Sequence, residues 1–200
     1  VHPDFDYSAV AAGENVYIVA SELAAAFAET CELGELKELA RFKGSKLDRL
    51  EAQHAWLDRV SLIMNGDHVT FGEADAEVEL DARHETKAGK SGTGCVHTAP
   101  GHGTDDFLIG KAYGLEIYCP VDNAGRFTSE VEFFAGEHIF TANAKIVELI
   151  REKGALLHVE NYNHRYPHCK RSKNPVIYRA TPQWFISMDA EAKTGEEISL

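Results

Sequence analysis

Paired cysteines are missing: Cys31, Cys95, Cys119 and Cys169 are scattered through the 200 residues with no close pair. Such spacing suggests neither a disulfide framework nor a zinc knuckle, and reduced thiols are expected. Positive charge is scarce, with 20 Lys and Arg against 32 Asp and Glu and a formal net charge of -12. Phosphate contacts need locally positive potential, so this balance argues against a general nucleic-acid binder and confines any RNA contact to a local patch. No apolar run approaches membrane-spanning length and no signal peptide is visible. From this we expect no membrane partner and a cytoplasmic location. A glycine-rich phosphate loop is also lacking, which removes the usual sequence sign of a nucleotide-binding chain.

What is present suffices for one well-packed domain, since 44% of the residues are hydrophobic. The chain opens at Val1 without a methionine and closes in a polar, acidic run from Asp189 to Glu197. We therefore expect a piece of a longer polypeptide. Arg165, Lys170, Arg171 and Lys173 form one basic cluster, with Lys87 and Lys90 as a smaller group; a solvated loop is the plain reading of both.

The pattern of elements is mostly β with peripheral helices. Val10, Val16, Ile18 and Val19 around Gly13-Glu14-Asn15 predict a hairpin. Ser21 is placed to cap a short helix through Leu23, Phe27 and Ala28, whereas Leu33 to Phe42 is ambiguous between strand and helix and ends at Gly44. Leu47 to Met64 predicts a strand leading into an Asn65-Gly66 turn, and Val69 to Phe71 a further strand. Residues 72–91 alternate acidic with small or apolar residues, a pattern that permits an edge hairpin whose charges discourage pairing with other molecules. Beyond, Glu116 to Pro120 and Leu156 to Val159 read as strands, and Asp122 to Gly125 as a turn. A helix starting at Thr141 or Asn143, with Ile146, Val147, Leu149 and Ile150 on its apolar side, stops at Gly154. Val176 to Arg179 and Trp184 to Ile186 are strand-like runs interrupted by Pro182.

Chemistry is concentrated in Gly92 to Phe107, Gly-Thr-Gly-Cys-Val-His-Thr-Ala-Pro-Gly-His-Gly-Thr-Asp-Asp-Phe. Four glycines and a proline let the backbone bend around a ligand, while His97, His102, the threonines and the aspartates supply polar groups. Thr104 is expected as an N-cap, with Asp105 and Asp106 in the first turn of a helix that runs through Lys111 and stops at Gly114. Amides and the dipole at that terminus favour an ionised carboxylate, so the loop is expected to offer negative charge to a cationic group. Ordinary helix capping accounts for Thr-Asp-Asp equally well. Two other classes stay open: a metal-dependent hydrolase using His97, His102 and Asp105, and a non-catalytic interaction module. The five-residue separation of His97 and His102 matches neither a helical histidine pair nor a finger spacing.

The wording of this stretch, followed by Gly110 and Tyr113-Gly114-Leu115, closely resembles the editing-domain signature of isoleucyl-tRNA synthetases. Valyl and leucyl relatives share the Gly-Thr-Gly opening and the later Asp, but usually differ at His97-Thr98-Ala99-Pro100 and Gly101-His102-Gly103. Tyr166 to Asp189 is similar to the segment by which the editing domain returns to the aminoacylation domain. Pro3-Asp4-Phe5-Asp6-Tyr7 and Gly66-Asp67-His68-Val69-Thr70 match more loosely.

The resemblance implies a barrel-like β domain with helices around it, covering 1–189, and a polar tail, 190–200, leading back to an absent aminoacylation domain. It implies hydrolysis of valine misattached to tRNA for isoleucine, with Asp106 holding the α-ammonium and His97 bordering the side-chain pocket. Thr93, Gly94, Thr98, Gly101, His102 and Gly103 would form the remaining substrate surface. No cofactor or metal is implied for this piece; ATP and Mg belong to the aminoacylation domain, whose ATP signature does not occur here. Where some family members carry Cys-x-x-Cys, this chain reads Cys169-Lys170-Arg171-Ser172, and Ser172 breaks the pair. The partner implied is the tRNA 3′ end carrying valine, and the molecule is expected to be a monomer. The family's threonine-rich strand, which precedes this region, is not part of the sequence.

Overall fold

A computed structural model describes residues 1–71, 92–161, 166–184 and 186. The acidic segment 72–91, Arg165 and the tail 190–200 lie outside the described residues.

The expected hairpin forms from β1 (Asp6–Ala12) and β2 (Asn15–Ala20), paired antiparallel from Tyr7 opposite Ala20 to Ala12 opposite Asn15. Two residues close it, and Gly13 takes a left-handed φ of 60° there. The ambiguous stretch after the first helix resolves as β3 (Lys37–Lys43), which pairs antiparallel with the free edge of β1, giving the order β2-β1-β3. Ala9 faces Ala40 while Val10 faces Glu38, so Leu39 is the extra residue of a bulge and stands exposed.

As the central strand, β1 is covered on both sides, and its one buried polar side chain is fully engaged. Ser8 Oγ lies 2.7 Å from Glu38 Oε2 and 2.6 Å from Ser21 Oγ. An ionised carboxylate only accepts, so Ser8 donates to Glu38 and Ser21 donates to Ser8. The Arg41 guanidinium, then the Ser8 hydroxyl, holds the Glu38 carboxyl below its usual range. Ser21 therefore spends its hydroxyl on the sheet. It is not the helix cap: Ala20 precedes a single 3-10 turn (Ser21–Leu23) that runs into α1 (Ala24–Thr30). Burial of Leu23 with Tyr7, Ala20 and Leu47, and of Phe27 with Val10 and Val19, docks this helical segment on the sheet.

A second 3-10 turn (Gly44–Leu47) leads to β4 (Glu51–Gln53) and β5 (Val60–Leu62), an antiparallel pair with Glu51 opposite Leu62. Then come α2 (Thr104–Tyr113) and α3 (Ile139–Glu152). Gly114 ends α2 with φ 75°, and its amide returns to the Gly110 and Lys111 carbonyls, as expected of a glycine stop. Helix α3 starts two residues before the earlier of the expected positions. His138 caps it, its Nδ1 accepting from the Phe140 amide at 3.3 Å, while Thr141 Oγ1 donates back to the His138 carbonyl inside the first turn.

Val69–Phe71, Glu116–Pro120, Leu156–Val159 and Val176–Arg179 are not strands. Apolar, β-branched composition favours a strand only where a partner edge exists, and these runs find none among the described residues. Isolated bridges join Val121 to Phe127, Arg126 to His138 and His168 to Pro175 instead. The result is a small α+β domain with a three-stranded and a two-stranded sheet; the described strands close no barrel.

Candidate functional site

The signature loop leaves the sheet at a fixed point. The buried Tyr7 hydroxyl donates to the Gly94 carbonyl at 2.7 Å and accepts from the His2 amide at 3.0 Å, and the Ala20 amide donates to the Thr93 carbonyl at 2.8 Å. Gly94 has φ 75°, and a Cβ there would lie 2.5 Å from the Ala20 Cβ, so only glycine lets the loop approach the hairpin this closely. Thr93 Oγ1 accepts from the Cys95 amide at 3.2 Å, which makes Thr93 a turn residue that sets the direction of the following segment.

From Cys95 to Pro100 that segment forms one wall of a cleft of ≈ 890 Å³. The β4–β5 hairpin supplies another wall, with Ala52, His54, Arg59 and Ser61, and the stretch after α2 a third, with Leu115, Glu116, Tyr118 and Pro120. His97, Thr98 and His102 line it. Among the described residues, the titratable side chains that line it are four histidines (His54, His68, His97, His102), Arg59, Cys95, Glu116 and Tyr118. The chain's net charge is -12, but the described residues bring one carboxylate and one arginine to this cleft, a locally balanced lining. A second depression of ≈ 630 Å³ lies over α1, lined by Ala24, Ala25, Ala28, Glu29, Glu32, Gly34 and Leu36, and offers no basic or nucleophilic group among the described residues.

The loop closes in a turn, with the His102 amide donating to the Ala99 carbonyl at 2.8 Å. His102 Nδ1 lies 2.9 Å from the Tyr178 carbonyl; a carbonyl only accepts, so Nδ1 carries the proton. The Ala180 amide donates to the Gly101 carbonyl at 2.7 Å, so residues 178–180 clasp the turn from outside. Gly110 seats α2 on the loop: a Cβ there would lie 2.6 Å from Pro100 Cγ.

Thr104 is the first residue of α2, not its cap. Gly103, extended at φ -170° and ψ 150°, holds the cap position and has no side chain to use. Asp106 serves the loop: its Oδ2 accepts from the Ala99 amide at 3.2 Å, folding the carboxylate back beneath the cleft wall. Glycine at 103 leaves room for this, since a Cβ would lie 3.0 Å from that same oxygen. Asp105 is exposed. Of the residues singled out from sequence, His97, Thr98 and His102 thus share the cleft, whereas Thr93, Gly94, Gly101, Gly103 and Asp106 shape or support its wall. Among the described residues no three His, Cys, Asp or Glu side chains are grouped to hold a metal ion, so His97, His102 and Asp105 are not assembled as ligands.

Sequence reading missed His54, Arg59 and Tyr118. His54 Nδ1 accepts from the amides of Leu57 at 3.1 Å and Trp56 at 3.3 Å, which leaves the neutral ring's proton on Nε2. Burial, then Arg59 and His97, push its pKa below the ordinary value. Tyr118 is pushed up, first by burial.

No family model matches the chain. It is similar over nearly its whole length to isoleucine–tRNA ligases. That of Persephonella marina is 46% identical over 199 residues, 99% of this chain and 19% of that protein. That of Desulfovibrio desulfuricans is 50% identical over 189 residues, 94% of this chain and 18% of the other. One from Bacillus cereus is 46% identical over 193 residues, 96% and 19% respectively. The chain spans just under a fifth of the length of these relatives. It is a homologue of one segment of the isoleucine–tRNA ligases.

Proposed function

We propose that this chain is the hydrolytic editing domain of an ATP-dependent isoleucine–tRNA ligase, clearing valine from tRNA for isoleucine and acting also on valyl-adenylate. The supporting observation is that the signature loop, in a chain 46% to 50% identical to these ligases, forms one wall of a cleft. A volume of ≈ 890 Å³ lies within the range of about 300–1,000 Å³ that small-molecule sites occupy, and suits an aminoacylated nucleoside.

The need for such a site follows from binding energy. One methylene in an apolar pocket discriminates by only about 1–3 kcal/mol, a limit for which isoleucine against valine is the standard example. A second site that admits valine and excludes isoleucine by size removes the residual error. In this reading His97, on the cleft wall, borders the side-chain pocket, and Asp106, behind Ala99, supplies the carboxylate for the α-ammonium. Thr98 and His102 contribute to the lining, and Thr93, Gly94, Gly101 and Gly103 fix the backbone around the substrate. Water, positioned in part by the free ribose hydroxyl of the terminal adenosine, attacks the ester carbonyl; the bond from that carbon to the esterified ribose oxygen breaks, the oxygen leaves with the tRNA as a hydroxyl and valine leaves with its carboxylate. No metal enters the reaction. The complete protein would bind ATP and Mg at its aminoacylation domain, with residues 1–189 as the editing domain of barrel-like type and 190–200 as its connection. It would work as a cytoplasmic monomer on tRNA for isoleucine.

Replacing His97 by Ala in the full-length protein tests the size filter. Hydrolysis of isoleucyl-tRNA is expected to rise relative to valyl-tRNA; an unchanged ratio counts against the assignment.

A further inference from the structure

The cleft holds more than an amino-acid pocket requires. The turn between β4 and β5 carries His54 and Arg59 at its two ends, joined by a hydrogen bond from the His54 amide to the Arg59 carbonyl at 3.0 Å. Gln53 braces the turn, its Nε2 donating to the Leu57 and Arg59 carbonyls at 3.1 Å each. Both end residues line the same cleft as His97. Each presents a donor that has no partner among the described residues. His54 uses Nδ1 on two backbone amides, so its remaining ring donor is Nε2–H. The Arg59 guanidinium makes no ion pair among the described residues. A braced turn that brings to the lining of one cleft a guanidinium and an imidazole N–H, neither with a partner among the described residues, suits an anionic oxygen cluster, because guanidinium matches phosphate geometry and charge-assisted bonds are the strong ones.

We propose that the β4–β5 turn, through Arg59 and the Nε2–H of His54, seats a backbone phosphodiester of the single-stranded RNA 3′ end whose terminal aminoacyl group lies at His97. This rests on the editing reading above and adds to it where the nucleic acid is held. The contact is local, as the overall acidity of the chain demands, and sequence-independent, since phosphate contacts position and do not read bases.

The test uses the full-length protein with its aminoacylation site saturated by an unreactive isoleucyl-adenylate analogue. Two nonhydrolysable probes are compared by calorimetry: 3′-valylamido-3′-deoxyadenosine, and the same nucleoside extended at its 5′ side by a cytidylyl phosphodiester. The affinity ratio between the probes reports the phosphate. In the unaltered protein the extended probe is expected to bind more tightly, and Arg59→Gln is expected to reduce that ratio about tenfold or more. Arg59→Lys should keep part of it, and His54→Asn, whose Oδ1 can still accept from the turn amides while Nε2–H is lost, should reduce it by a smaller factor. The salt dependence of extended-probe binding should also flatten in Arg59→Gln. A ratio unchanged by Arg59→Gln in a protein that melts normally overturns the phosphate seat and leaves the editing reading standing. Failure of either probe to bind the unaltered protein overturns the editing reading, and the phosphate seat with it.

Discussion

Gly101 and Tyr118 approach so closely that a Cβ on residue 101 would lie 2.1 Å from the Tyr118 carbonyl oxygen. The turn of the signature loop is thus pressed against the chain that leaves α2, and these two segments form adjoining walls of the cleft. Gly101→Ala must move backbone on one side or the other, because the obstacle is a carbonyl and not a flexible side-chain end. Overpacking of this kind costs about 1–3 kcal/mol, and in a domain of this size each kcal/mol lowers the melting midpoint by roughly 2–4 °C. Melting of Gly101→Ala beside Gly103→Ala checks this. The second change meets only the Asp106 carboxylate at 3.0 Å and should cost less in stability.

The far end of α2 is held by a separate polar cluster. Tyr113 donates to Asp48 Oδ1 at 2.5 Å, accepts from the Asn65 amide at 3.0 Å and lies beneath the Arg49 guanidinium, 4.9 Å from the ring centre. Burial first, then the Asp48 contact, pushes its pKa up. Tyr113→Phe keeps the ring and removes both bonds, leaving a partly buried amide and carboxylate to find water. A loss of about 1–3 kcal/mol is expected by denaturant unfolding, with valine-over-isoleucine selectivity unchanged.

How much of this was legible in the sequence depends on the range of the interactions. The β1–β2 hairpin, the glycine stops of α2 and α3 and the Asp122–Gly125 turn are encoded by neighbouring residues, and they appear where the sequence puts them. Val176–Arg179 has the composition of a strand, but strand formation needs a partner edge, which no local pattern supplies. Thr104 is a favoured capping residue type, but Gly103 holds the extended cap position, and Asp106 reaches past it to Ala99. For the site, Gly92–Phe107 carried its own signal, whereas His54 and Arg59 reach the cleft through the β4–β5 pairing, a tertiary fact that spacing does not record.

Stability should depend on pH through His54. Burial, Arg59 and His97 lower its folded pKa below the ordinary 6.5, so the unfolded chain takes up a proton first as pH falls. The stabilisation from keeping this ring neutral is complete above about 6.5 and is lost as pH falls through that value toward the lower folded one. His54→Asn should melt with a flatter dependence between pH 7 and pH 5 than the unaltered protein. Parallel curves would show that His54 does not titrate between the two states in that range.

The most direct test of the central claim is the rate at which the full-length protein deacylates valyl-tRNA for isoleucine, measured for the unaltered enzyme, Asp106→Asn and Asp105→Asn. Asparagine retains an acceptor for the Ala99 amide while removing the charge, so Asp106→Asn separates the loop contact at 3.2 Å from recognition of an ammonium group. Charge-assisted hydrogen bonds contribute about 1.5–3 kcal/mol, and the account predicts a rate roughly ten- to a hundredfold lower for Asp106→Asn with a near-normal melting midpoint. Asp105→Asn, at an exposed position, should edit within about twofold of normal. Normal deacylation by Asp106→Asn, or an unaltered enzyme that hydrolyses valyl- and isoleucyl-tRNA at the same rate, would contradict the assignment of this cleft to editing.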